Sequence, residues 1–160
     1  MTEQLVVHST FAIERSYAAP PSRVFAAFAD PVFKRRWFLD GKGFSGEEYS
    51  ADFRVGGFER ARFTFEGGPA GAPLPGTKMG NDTVYLDIVP DRRIVFAYTM
   101  LVGDYRMSAS LATVELSPSG NGETRLLFTE QAAFFGRSDG PQLRETGWRE
   151  LLARVDRALT

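Results

Sequence analysis

At 160 residues and 17.8 kDa the chain has the length of a single domain, taken here as 1–160, large enough to build its own core. Its 19 basic and 20 acidic residues leave a net charge of −1, so no overall field draws it to nucleic acid or to an anionic membrane. It has no cysteine and one histidine, His8, which excludes disulfides, thiol nucleophiles and multi-histidine metal sites; no cofactor is expected.

Residues 8 to 18 alternate, with Phe11, Ile13 and Tyr17 on one side and Thr10, Glu14 and Ser16 on the other, the pattern of a half-buried strand whose apolar face Arg15 interrupts. Pro20-Pro21-Ser22 then starts a short helix through Val24, Phe25 and Phe28. Asp30-Pro31 starts a second, with Asp30 as cap, Pro31 in the first turn, and Phe33 and Trp37 on one face. Lys34-Arg35-Arg36 and Arg92-Arg93 read as solvated basic clusters.

Strands are expected at about 44–49, 52–66, 79–89, 93–102, 106–117 and 123–131. Gly56-Gly57 marks a bend, Gly103-Asp104 a tight hairpin, and Ser117 to Gly122 a longer one. Between the third and fourth of the chain's strands, residues 67–76 hold seven glycines and prolines, which reads as a mobile loop or as a lid over a pocket mouth. Gly140-Pro141 opens a terminal helix reaching Leu159, about 28 Å long. Trp148, Leu151, Leu152, Val155 and Leu159 form its apolar stripe. Arg144 falls on the same stripe one turn earlier, and its charge places it at the rim. The fold class is α+β, an antiparallel sheet of about seven strands with a long helix on one face.

Targeting signals are weak. Met1-Thr2-Glu3-Gln4 carries no positive charge ahead of an apolar core, and the longest nearly apolar run, Ile94 to Val102, is far short of the ~20 residues a bilayer requires. A cytoplasmic location is the expectation. Gly41-Lys42-Gly43-Phe44-Ser45-Gly46 has the spacing of a dinucleotide loop but lacks the strand before it and the helix after it. Asn81-Asp82-Thr83 fits a glycosylation acceptor and means nothing without secretion.

Several stretches occur together in a recognisable order: Ala19-Pro20-Pro21-Ser22-Arg23-Val24-Phe25, Asp30-Pro31 with Trp37, Asp52-Phe53-Arg54-Val55-Gly56-Gly57, Pro90-Asp91-Arg92-Arg93-Ile94-Val95-Phe96, Gly122-Glu123-Thr124-Arg125-Leu126 and Gly147-Trp148. In this the chain resembles single-domain bacterial relatives of the carboxy-terminal domain of the activator of heat-shock protein 90 ATPase, within the START-like helix-grip superfamily that includes the birch pollen allergen. The resemblance implies a curved antiparallel sheet gripping the terminal helix, with a cavity between them that holds an apolar or aromatic molecule in many relatives. Tyr98 stands where many relatives carry tryptophan, and the glycine- and proline-rich segment lengthens a loop.

Phenylalanine, with 14 copies against 13 leucines, is the compositional oddity. The rings either pack a closed core or wall a pocket. The residues expected around such a pocket are Trp37, Phe63, Phe65, Tyr85, Phe96, Tyr98, Arg144 and Trp148, with Arg144 and Tyr98 orienting a polar group of the ligand. Arg144 lying over Trp148 as a cation–π pair is the competing placement. Catalytic candidates reduce to Asp87 and Glu130, carboxylates in strands where alternation lets one point inward as a general base; otherwise both face solvent or pair with Arg125 or Arg106. Adjacent Glu47 and Glu48 face opposite sides and form no dyad, and His8 is expected to be exposed and inert. The leading expectation is non-catalytic binding of an apolar or aromatic small molecule. The alternatives are a cyclase- or hydrolase-like enzyme using the same cavity, and a stress or chaperone-accessory interaction protein, the last as a homodimer.

Overall fold

A computed structural model describes residues 5–40, 44–68 and 70–160. The amino-terminal tetrapeptide, Gly41-Lys42-Gly43 of the glycine-rich stretch and Pro69 of the 67–76 loop lie outside the described residues. The order of elements is β1 (Val7–Tyr17), α1 (Pro21–Ala29), α2 (Pro31–Phe38), β2 (Phe44–Ala51), β3 (Phe58–Phe65), β4 (Thr77–Val89), β5 (Arg93–Val102), β6 (Tyr105–Pro118), β7 (Thr124–Phe134) and α3 (Pro141–Ala158).

All seven strands form one antiparallel sheet in the order β1-β7-β6-β5-β4-β3-β2. The two short helices therefore carry the chain from one sheet edge to the other, and each later strand is a hairpin step back towards β1. Asp30 closes the corner between them as expected: its Oδ1 accepts the Val32 amide at 3.0 Å, and Pro31 occupies the first helical turn. The Trp37 indole donates to the Ala27 carbonyl at 2.7 Å and ties α2 to α1.

The curved sheet grips α3. Alternate residues of the strands point at it: Phe11, Ile13 and Tyr17 from β1, Ile94 and Phe96 from β5, Val114 and Leu116 from β6, and Leu126 and Phe128 from β7. Trp148, Leu152 and Val155 meet them from the helix, with the rings of Phe128 and Trp148 4.3 Å apart. The Tyr17 hydroxyl donates to the Leu152 carbonyl at 2.8 Å, and Arg15, which interrupts the apolar face of β1, reaches Asp156 at 3.9 Å. A second, smaller cluster of Leu39, Ala61, Phe63, Met79 and Met107 packs at the other end of the sheet.

Three expectations change. The strand anticipated at 52–66 begins at Phe58, because residues 52–57 form a tight turn. Gly56 takes φ +82°, and a Cβ on Gly57 would sit 2.0 Å from the Asp52 carbonyl oxygen, so the pair serves as a turn rather than a bend within a strand. Lys34, read as part of a solvated basic cluster, is buried, because it falls three and four residues before Trp37 and Phe38 and so shares their face. Arg144, expected at the rim, is only 5% exposed, and its burial is made tolerable by the carboxylates described below.

Candidate functional site

The strands beyond the main core do not close against α3. A cavity of about 430 Å³ remains between β3, β4 and β5 on one side and α3 on the other, within the range of small-molecule sites. Phe63 and Phe65 come from β3, Met79, Asn81 and Thr83 from β4, and Phe96, Tyr98 and Met100 from β5. From the helix come Leu143, Arg144, Trp148 and Leu151, and α2 contributes Lys34 and Phe38. Gly67, Gly68, Ala72 and Pro73 of the glycine- and proline-rich loop complete the wall. That loop lies against α3: a Cβ built on Gly71 would come within 3.8 Å of Leu143 Cδ1. Thr146, Gly147 and Glu150 line the cavity yet are exposed, which puts its mouth along this stretch of α3.

Of the eight residues expected around a pocket, Phe63, Phe65, Phe96, Tyr98, Arg144 and Trp148 are brought together on this wall. Trp37 and Tyr85 are not. Trp37 is spent inside the α1–α2 corner, and Tyr85 lies beneath the wall with its hydroxyl on Glu59 at 2.8 Å. Glu59, Lys34, Asn81 and Thr83 were missed. Their signal was present as phase: Glu59 shares a face with Ala61 and Phe63, and Asn81 and Thr83 share one with Met79 and Tyr85.

Two polar clusters flank the apolar space. In the first, Glu59 Oε2 accepts from Lys34 Nζ, from Tyr49 at 3.0 Å and from Tyr85 at 2.8 Å. Asn81 Nδ2 reaches Glu59 Oε1 at 3.4 Å and Thr83 Oγ1 at 3.0 Å. Burial, reinforced by the neighbouring Glu59 carboxylate, pushes both tyrosine hydroxyls well above their ordinary range, so both remain donors.

The second cluster surrounds Arg144. Its guanidinium bonds Asp139 through two parallel contacts of 2.9 Å, Ser108 at 2.8 Å and Tyr98 at 3.2 Å, and lies 3.6 Å from Glu130. Burial alone would lower its pKa, but Tyr98, Asp139 and Glu130 together hold it above the ordinary value. The Tyr98 hydroxyl donates to Glu130 Oε1 and accepts from Trp148 Nε1 at 3.0 Å. Arg144 stacks over the rings of Tyr98 and Phe134, at 5.7 and 5.1 Å, and the pairing with Trp148 is not the one formed.

The two carboxylates weighed for acid–base work separate. Glu130 is fully buried and its pKa is raised by burial, against the lowering effect of Arg144, but it stands behind Tyr98 and does not line the cavity. Asp87 lies on the other face of the sheet, 43% exposed and bonded to Arg93 at 2.6 Å. A bulge explains this: Tyr85 pairs with Phe96 and Asp87 with Val95, so the alternation that would have turned Asp87 inward is broken at Leu86. Neither carboxylate pairs with Arg125 or Arg106, which go to Glu14 and Asp82. His8 is exposed on β1. Among the described residues no group of three acidic, histidine or cysteine side chains could hold a metal, and no helix is long and apolar enough to cross a membrane.

Comparison with known proteins places this geometry. The family described as Activator of Hsp90 ATPase homolog 1-like protein matches residues 18–160. A structure from Rhizobium loti is 50% identical, with 96% of this chain and 99% of that one covered and a TM-score of 0.83. One from Rhizobium leguminosarum is 36% identical over 99% and 98% of the two chains, with a TM-score of 0.85. A third, from Chromobacterium violaceum, is 26% identical over 94% and 96%, with a TM-score of 0.75. No curated protein matches the chain.

Proposed function

The chain belongs to the Activator of Hsp90 ATPase homolog 1-like family, and from that premise we propose that it binds an apolar or aromatic small molecule, without chemistry, in the space between the sheet and α3. The observation that carries this reading is the cavity of about 430 Å³, whose predominantly apolar wall includes four phenylalanines, two methionines, two leucines and Trp148. Such a space gains little for folding by staying open, since filling it with side chains would bury more apolar surface.

Binding is favoured over catalysis by where the carboxylates sit: of those that line the cavity, Asp139 is held by Arg144 and Glu150 lies exposed at the mouth beside Arg154. Glu130 is screened from the cavity by Tyr98, and Asp87 is on the opposite face. Glu59 reaches the wall, but its Oε2 already carries three donors, so it acts as a fixed partner for Lys34 and the two tyrosines.

Titration with an uncharged, environment-sensitive apolar dye tests the reading, alongside thermal unfolding with a metabolite mixture. A ligand at 100 times its Kd adds about 2.7 kcal/mol, which for a domain of this size raises Tm by roughly 5–10 °C. No saturable dye signal together with an unmoved Tm would refute it.

A further inference from the structure

Of the two polar clusters on the cavity wall, one has no hydrogen-bonding capacity to spare. Arg144 has five N–H donors. Nε and one proton of NH2 serve Asp139, the other NH2 proton serves Ser108, and NH1 faces Tyr98, Ser110 and Glu130. The Tyr98 hydroxyl donates once and accepts twice, from Trp148 and Arg144, which is all a phenol can do. A polar group arriving here would have to break a bond already made.

The cluster around Lys34 is different. Its ammonium has three donors, and Glu59 takes one. Among the described residues no polar atom takes the other two. Aromatic rings surround them instead, Phe38 at 4.7 Å, Phe96 at 5.8 Å and Trp37 at 5.9 Å. Across Glu59 from it, Asn81 is 2% exposed and uses its amide nitrogen on Glu59 and Thr83, while its Oδ1 has no partner among the described residues. Turning the amide over would set that oxygen against the Glu59 carboxylate, so the assignment stands on electrostatics. A buried amide oxygen without a donor is costly to leave unmet. Lys34 and Asn81 hold opposite oxygens of one carboxylate, and both residues line the cavity.

We propose that the ligand of this cavity carries a neutral polar head with an acceptor beside a donor, as in a carboxamide or a hydroxyketone, placed between Lys34 Nζ and Asn81 Oδ1, with its apolar body between the rings and α3. The inference rests on the cavity being a binding site. Charge selects the neutral head. The charges that line the cavity are matched in pairs, Lys34 with Glu59, Arg144 with Asp139 and Arg154 with Glu150, so a carboxylate would add an uncompensated charge. A pure hydrocarbon would leave Asn81 Oδ1 and two ammonium protons unmet.

Three probes with one ring body separate the cases by calorimetry: naphthalene carboxamide, naphthalene carboxylate and methylnaphthalene. The carboxamide is expected to bind about tenfold or more tightly than the carboxylate. Asn81→Leu should weaken the carboxamide at least tenfold relative to methylnaphthalene, and the paired change Lys34→Met with Glu59→Gln, which keeps the cluster neutral, should act in the same direction. If the carboxylate binds as tightly as the carboxamide, or if both variants weaken carboxamide and hydrocarbon alike, the head-group assignment is wrong while the cavity reading survives. If none of the three binds the native protein, both fall together.

Discussion

Gly147 offers a perturbation that tests the helix and the mouth of the cavity at one position. It is the seventh of 18 residues in α3, lines the cavity, and a Cβ built on it meets nothing within 4 Å. Gly147→Ala therefore removes the backbone-entropy cost of glycine in a helix interior without a clash, a gain of about 1 kcal/mol. In a domain of this size that raises Tm by roughly 2–4 °C. Gly147→Phe keeps part of the gain, since phenylalanine is still a better helix former than glycine, but places a ring where the cavity opens to solvent between α3 and the 67–73 loop. Stopped-flow titration with the apolar dye should then show slower association for Gly147→Phe and unchanged association for Gly147→Ala, with both variants at least as stable as the native protein. A fall in Tm for Gly147→Ala would show that the glycine serves a close contact, and unchanged dye kinetics in Gly147→Phe would show that molecules do not pass here.

Two further outcomes follow from the Arg144 cluster. Arg144→Met strands Asp139 and Glu130 without their cation and is expected to cost about 3–5 kcal/mol by urea denaturation; adding Glu130→Gln should recover part of it, and a purely additive pair would refute the coupling. Glu130 itself has a folded pKa raised above the ordinary 4.5 by burial, so the folded state binds more protons than the unfolded one and loses stability as pH rises from about 4.5 through the folded pKa. The stability of Glu130→Gln relative to the native protein should therefore climb with pH over that window and then level off, and a difference that is flat or falls would overturn the assignment.

Much of the architecture was legible because local chemistry determined it. Pro21, Asp30 and Pro31 set the two short helices, the three-and-four spacing from Trp148 to Val155 set α3, and turn residues set each hairpin. The glycine pair at 56–57 was legible as a break, but not as a whole turn, because the close approach to the Asp52 carbonyl depends on how the chain folds back onto β4. Candidate site residues were legible where a ring alternated inward, as at Phe63, Phe96 and Tyr98, and failed where a polar residue sat in phase with the rings, as at Lys34, Glu59 and Asn81. A polar side chain at an inward position is affordable only with partners, and its partners lie on other strands and helices.

The 160-residue sequence by itself determined the α+β class, the order of the elements and an excess of rings directed at the terminal helix. Periodicity and turn chemistry are local, and the chain cannot satisfy them in many other ways. Tertiary structure decided the rest. It turned Asp87 outward through a single bulge, drew Arg144 from the rim into a cage of Asp139, Ser108, Tyr98 and Glu130, and left Asn81 Oδ1 without a donor among the described residues. These outcomes depend on register and on contacts between residues far apart in sequence, such as Tyr98 with Arg144, where a shift of one residue exchanges the inner face for the outer.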